Sequence, residues 1–302
     1  MQLNEYQFEV LVRIERYQDK KHSQRELADL LDVSLGVVNR TIKELVEAGY
    51  LVSKGNSYYE VSEEGYKALE PYKVKRAIFM AAGFGSRMVP VTLNTPKPLI
   101  QVKGKRIIDT LLDAVIDAGI EDITIVRGYL GEQFDLLLKK YPMLKFIENP
   151  TYNEANNIGS AYLLKDMMEN AYVLESDLVL YNPEIIRKYE YSTNYLGMKV
   201  DRTDDWCFYT TKGYISKLAV GGENCHHMFG ISYWTAEDGK KMSKDIEDVY
   251  LMPGGKEKYW DEVALRECLD NYKVRVKPVK EGDIIEIDTF NELKAVDPSY
   301  GS

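Results

Sequence analysis

The sequence is poor in cysteine and histidine and has no excess of positive charge. Its three cysteines, Cys207, Cys225 and Cys268, are widely spaced and form no Cys-x-x-Cys pair. This argues against a disulfide framework and a four-cysteine zinc site, and fits a reducing, cytoplasmic setting. Lys and Arg number 39 against 48 Asp and Glu, for a net charge of −9. A chain this acidic is a poor general binder of nucleic acid or anionic membrane. No apolar run reaches the ~18 residues of a membrane helix. The N-terminal stretch carries charges of both signs and lacks the apolar centre of a signal peptide. There is no internal repeat and no low-complexity tract.

What is present is an ordinary globular composition, 45% hydrophobic and 29% charged, over 302 residues. That length predicts two domains, and the best boundary lies near Pro71–Lys75, giving domains 1–72 and 73–302. In the first, Leu3, Tyr6, Val10, Ile14 and Tyr17 recur at helical spacing. Ser23-Gln24-Arg25-Glu26 is a capping box for a second helix, and a third carries Val38, Ile42 and Leu45 up to Gly49. Two short β-like runs joined by Lys54-Gly55-Asn56-Ser57 read as a hairpin, and a last helix starts at Ser62. This order resembles a winged helix-turn-helix domain. Nine basic and thirteen acidic residues over 1–72 give a poor DNA footprint, although Asn39, Arg40 and Lys43 are exposed on the third helix. A dimerisation or interdomain role, as in a homodimer, is therefore favoured over DNA.

From Lys75 onward strands and helices alternate, which predicts an α/β, doubly wound, mostly parallel sheet. Short strands are expected near Thr210–Val220, Met228–Trp234, Val274–Lys280 and Ile284–Ile287. The first strand, Arg76–Ala82, runs into Gly83-Phe84-Gly85-Ser86-Arg87, with Thr95-Pro96-Lys97-Pro98 close behind. Small residues at a strand end let backbone N–H groups cradle phosphate, and Arg87 and Lys97 add two cations. The loop fits neither the dinucleotide fingerprint, which wants a glycine at Met88, nor Walker A, because Gly104-Lys105 precedes Arg106.

The stretch AAGFGSRMVPVTLNTPKPLIQVKGKRIID closely resembles the signature of the nucleotidyltransferases that activate sugar phosphates and choline phosphate. NNIGSAYLL, YVLESDLVLY, FGISYWT, KYWDE and IIEIDT resemble the bacterial CTP:phosphocholine cytidylyltransferases of the LicC type. The resemblance implies a Rossmann-like nucleotidyltransferase domain. It also implies Mg²⁺-dependent transfer from CTP to phosphocholine, with Arg87 and Lys97 as catalytic cations. Ala82, Gly83, Gly85, Ser86, Asn157 and Ser160 would then hold the nucleotide.

Asp177 and Asp288 each end an apolar strand-like run, where ligands of open α/β sheets bind. Two such carboxylates suit Mg²⁺ beside phosphate oxygens, and the resemblance carries both onto the family's metal-binding aspartates. Read alone, either residue also fits a helix cap. Asp204, Asp205 and Asp261 are weaker candidates. For the acceptor, aromatic faces hold a quaternary ammonium, and Trp206, Trp234 and Trp260 occupy positions where choline-type relatives carry tryptophan. Ordinary core packing is the competing reading for each. A primary ammonium would use Asp or Glu instead, so phosphoethanolamine and 2-aminoethylphosphonate stay open as acceptors. A sugar 1-phosphate acceptor and a ligand-sensing DNA regulator are the remaining alternatives. His226-His227 beside Cys225 carries no metal expectation, since adjacent side chains diverge.

Overall fold

The protein is described by a computed structural model over residues 2–18, 20–21 and 23–301. The chain forms two compact units. The first runs to Lys73 and also includes Tyr189–Tyr191. It holds α1 (Glu5–Arg16), α2 (Gln24–Leu31), α3 (Leu35–Glu47), the hairpin β1 (Leu51–Gly55) and β2 (Tyr58–Val61), and α4 (Glu63–Leu69). Side-chain oxygens of Asn4, Ser23, Ser34 and Ser62 cap the four helices, satisfying N–H groups that have no intrahelical partner. Phe8 sits in the middle of this core, its ring 5.0 Å from that of Tyr72 and 5.3 Å from that of Tyr191. On α3, Asn39, Arg40 and Lys43 are exposed, but Lys43 faces Glu47 at 3.7 Å.

The second unit is Val74–Lys188 together with Ser192 onward. In chain order it contains β3 (Arg76–Ala81), β4 (Gln101–Val102), β5 (Lys105–Arg106), α5 (Ile107–Asp117), β6 (Asp122–Arg127), β7 (Lys145–Glu148) and α6 (Ile158–Leu164). Then come β8 (Ala171–Glu175), β9 (Leu178–Leu180), β10 (Asn194–Thr211), β11 (Tyr214–Trp234), α7 (Ala236–Leu251), β12 (Arg275–Pro278), β13 (Ile284–Glu286) and α8 (Phe290–Val296). Seven strands form the main sheet in the order β10-β12-β11-β8-β3-β6-β7. β3 is central and parallel to both β6 and β8, while β11 enters antiparallel to β8.

Alternation along the central strands feeds two cores. Ala77, Phe79 and Ala81 of β3, with Tyr172 and Leu174 of β8, face one side, where α5 contributes Ile108, Leu111 and Val115. Ile78, Met80 and Val173 face the other, covered by Ile158 and Leu164 of α6 and by Met242 and Ile246 of α7. Burial on both faces explains the near-continuous apolar runs.

One expectation is corrected and one expected strand is located. The short strands near Thr210–Val220 and Met228–Trp234 belong to a single long hairpin, 18 residues in β10 and 21 in β11. The run at Ile284–Ile287 does not join the main sheet. Its strand β13 pairs antiparallel with β9, setting Glu286 opposite Leu178.

Candidate active site

Beyond the C-terminal ends of β3 and β8 lies a cavity of about 520 Å³. The glycine loop forms one wall. Gly85 adopts a left-handed φ of +68°, and a Cβ there would lie 3.2 Å from Lys97 Cβ and 3.3 Å from Thr92 Cγ2, so glycine is needed for both its backbone and its space. Thr92 Oγ1 donates to the Gly85 carbonyl at 3.0 Å, and the Tyr129 backbone N–H donates to the Ala82 carbonyl at 3.0 Å. A Cβ on Gly83 would meet nothing within 4 Å. The backbone there faces open space.

Residues 80 apart and more meet at Lys97. Its ammonium lies 2.9 Å from Asp177 Oδ2 and 2.8 Å from Asp288 Oδ1. Asp288 Oδ2 is also 3.0 Å from Arg87 Nη1. Lys97 is 8% exposed. Burial alone would lower its pKa, but the two carboxylates outweigh that and hold it above the ordinary lysine range. The β9–β13 pairing makes this meeting possible, helped by the Ile287 N–H donating to the Asp177 carbonyl at 3.2 Å. Asp177 Oδ1 is buried and has no hydrogen-bond partner among the described residues.

Asn157 and Ser160, expected to hold the nucleotide, line the same cavity, as does Asn149. Asn149 Nδ2 donates to Ser160 Oγ at 3.0 Å. Asn157 does not cap α6 with its side chain. Instead its Oδ1 accepts from the Trp260 backbone N–H at 2.8 Å, and its Nδ2 donates to Glu175 Oε1 at 3.2 Å. Asn157 therefore ties the end of β8 to the segment Tyr259–Glu262.

Ala82, Gly83, Gly85, Ser86, Arg87, Lys97, Asn157, Ser160, Asp177, Asp288 and Trp206 all line this one cavity. Trp234 and Trp260 do not. They are 0% and 1% exposed and pack edge to face in the core, 6.0 Å apart. Trp206 alone of the three reaches the wall, its ring 5.4 Å from that of Tyr259. Asp205 and Asp261 also line the cavity; Asp204 is not in the wall.

Sequence reasoning missed Glu175 and Glu286, which line the cavity too. Glu175-Ser176-Asp177 and Glu286-Ile287-Asp288 are both Glu-x-Asp at a strand end, a repeated signal that could have flagged them. Burial, with nearby carboxylates adding to it, pushes both glutamates well above the ordinary range. Burial likewise pushes Asp261 up to about 7, against a hydrogen bond from Tyr195 that lowers it. Seven carboxylates and only two basic side chains line the cavity. Such a crowd of carboxyl groups is relieved by protons, as at Glu175, Glu286 and Asp261, or by a cation.

Comparisons with known proteins identify the family. A family model described as "Nucleotidyl transferase" matches residues 76–196, and one described as "Winged helix-turn-helix DNA-binding" matches 3–52. The chain is 38% identical to a 2-aminoethylphosphonate cytidylyltransferase of Lancefieldella rimae, over 74% of this chain and 92% of the relative. It is 31% identical to a choline-phosphate cytidylyltransferase of Streptococcus pneumoniae, over 74% and 96%. The solved structure of the S. pneumoniae CTP:phosphocholine cytidylyltransferase, LicC, superposes with a TM-score of 0.69 at 30% identity, covering 75% of this chain and 99% of that one. With its glycine loop, its paired aspartates and relatives of this identity, the chain belongs to the nucleotidyltransferase family, among the cytidylyltransferases, and carries a winged helix-turn-helix domain ahead of the catalytic one.

Proposed function

We propose that the second unit transfers the cytidylyl group of CTP, with Mg²⁺, to a small phosphate or phosphonate ending in an ammonium group, and releases pyrophosphate. The observation that carries this reading is the convergence of Asp177 and Asp288 on the glycine-loop cavity, with Asp177 Oδ1 buried and unpartnered. An orphaned carboxylate oxygen beside a second carboxylate is a donor set suited to a hard divalent cation. Asp177 and Asp288 would hold it, and it would neutralise charge on the triphosphate. The residues themselves supply position. The Gly83–Ser86 backbone receives phosphate oxygens, and Arg87 and Lys97 hold them. An acceptor phosphate is already ionised near neutral pH, so no general base is required, and alignment carries the reaction.

The wall supports two classes of acceptor to different degrees. Trp206 and Tyr259 offer one aromatic pair, which favours phosphocholine through cation–π attraction. The seven carboxylates favour an acceptor with N–H donors, such as 2-aminoethylphosphonate. With one tryptophan at the wall, our reading favours the second over the first. A pyrophosphate-release matrix tests this reading: four nucleoside triphosphates against 2-aminoethylphosphonate, phosphoethanolamine, phosphocholine and glucose 1-phosphate, with and without Mg²⁺. Release with CTP and an aminated acceptor, abolished in Asp177→Ala and Asp288→Ala, is expected. No release with CTP and any aminated acceptor would overturn the reading.

A further inference from the structure

Most carboxylates of the cavity already have work within the protein. Asp177 and Asp288 share Lys97. Glu175 accepts from Asn157, and Asp261 accepts from Tyr195 Oη at 2.5 Å. Glu262 accepts from the Tyr259 backbone N–H and pairs with Arg266. Glu286 differs: its side chain has no hydrogen bond or ion pair among the described residues. Asp205 uses one oxygen, Oδ1, on the Trp206 backbone N–H at 2.7 Å and leaves the other.

These two carboxylates converge with a third acceptor. One donor atom each from Asp205, His227 and Glu286 lies within 4.8 Å of the other two. The three come from β10, β11 and β13, separate strands that the long hairpin and the β9–β13 pairing bring together. Thr203 Oγ1 lies 3.1 Å from His227 Nδ1 and fixes the ring. Burial lowers the imidazole's pKa, with Asp205 opposing, so the ring is neutral and carries a lone pair at pH 7.

We infer that Asp205, His227 and Glu286 form the subsite for the far end of the acceptor and select a primary ammonium over a trimethylammonium. The inference rests on the cytidylyltransferase reading above and narrows its substrate class to aminoalkyl phosphonates and phosphates. A primary ammonium has three N–H donors in a tetrahedral fan. Acceptors about 2.8 Å from its nitrogen stand about 4.6 Å from each other, within the spread seen here. The Asp205 carboxylate, the carbonyl oxygen of the Glu286 carboxyl and a neutral imidazole give one acceptor per donor. A trimethylammonium has no N–H and leaves the His227 lone pair unused. Trp206, next in sequence to Asp205 and in the same wall, covers the methylene chain between the acceptor's two ends.

Steady-state kinetics on the full chain test this, with CTP and Mg²⁺ and with 2-aminoethylphosphonate or phosphocholine as acceptor. The wild type is expected to prefer 2-aminoethylphosphonate. Asp205→Asn and His227→Phe should each raise its KM about tenfold or more, as for a lost hydrogen bond to a charged group, and should shrink the preference over phosphocholine. KM for CTP should stay within about twofold of the wild-type value. Glu286→Gln, nearer the Asp177–Asp288 pair, serves as the third variant, its CTP affinity measured separately by calorimetry. A preference for phosphocholine, or variants that leave the acceptor KM unchanged, would overturn the inference while leaving cytidylyl transfer standing. Tight Mn²⁺ binding that disappears in His227→Phe would assign the triad to a metal and overturn it too. No pyrophosphate with any aminated acceptor would instead strike the parent reading.

Discussion

Gly230 lacks a side chain where Glu175 needs the room: a Cβ at position 230 would lie 2.4 Å from Glu175 Oε2 and 2.6 Å from its Cγ. The glutamate is thus held in the cavity wall by a hole in the neighbouring strand, and Asn157 fixes its other oxygen.

Gly230→Ala should therefore push Glu175 out of place and break its bond to Asn157. Overpacking of this kind costs roughly 1–3 kcal/mol. We expect a lower urea midpoint and a lower kcat/KM, both read on the purified variant. Unchanged values for both would show that Glu175 moves freely.

Lys97 is a buried cation between two acids, and removing it strands them. Lys97→Met should lose at least 100-fold in turnover, about 3 kcal/mol of barrier, by analogy with a lost oxyanion donor. It should also melt at lower temperature, since stripping one partner from a buried ion cluster costs several kcal/mol. Mg²⁺ should raise the melting temperature of this variant more than that of the wild type, because the ion then meets two unneutralised carboxylates. Melts with and without MgCl₂ check this.

Trp206 and Trp234 make opposite predictions. Trp206→Ala removes a wall residue; it should raise the acceptor KM severalfold, matching about 0.5–2 kcal/mol, and leave the melting temperature close to wild type. Trp234→Ala empties a core position and should cost about 3–5 kcal/mol of stability. Chemical denaturation of both variants, with kinetics on Trp206→Ala, separates wall from core.

Asp261 yields a pH dependence. Burial raises its carboxyl to about 7 in the folded chain, while the unfolded chain keeps the ordinary carboxylate value. Between those two values the native state binds the extra proton, so this residue's contribution to stability is full below the unfolded value and is lost as pH rises to about 7. Asp261→Asn should flatten that part of the profile, raising the melting temperature at pH 8 more than at pH 4. Equal shifts at both would contradict the raised carboxyl.

The glycine loop, Asp177 and Asp288 were legible because each follows an apolar run that can only be a buried strand. The long hairpin was not. Through its middle, Lys199–Trp206 and Ser216–Asn224, the residues are mostly polar and half-buried or exposed, so no hydrophobic alternation marks it. The tryptophans misled for a related reason. Trp234 and Trp260 share a buried cluster with Met242, Ile246 and Val263, contacts between distant segments that spacing along the chain does not reveal. Glu175 and Glu286 went unread because a charged residue inside an apolar strand looks like noise until both Glu-x-Asp ends are seen together.

The β9–β13 ribbon carries a consequence for synthesis. It joins Asp177 to a partner made 111 residues later, after the sheet's central strands have left the ribosome. A nascent chain stopped short of Asp288 would own the loop, Lys97 and one acid, yet lack the second arm of the clamp. Completion of this centre therefore waits until the segment bearing Asp288 has been made and has paired with β9.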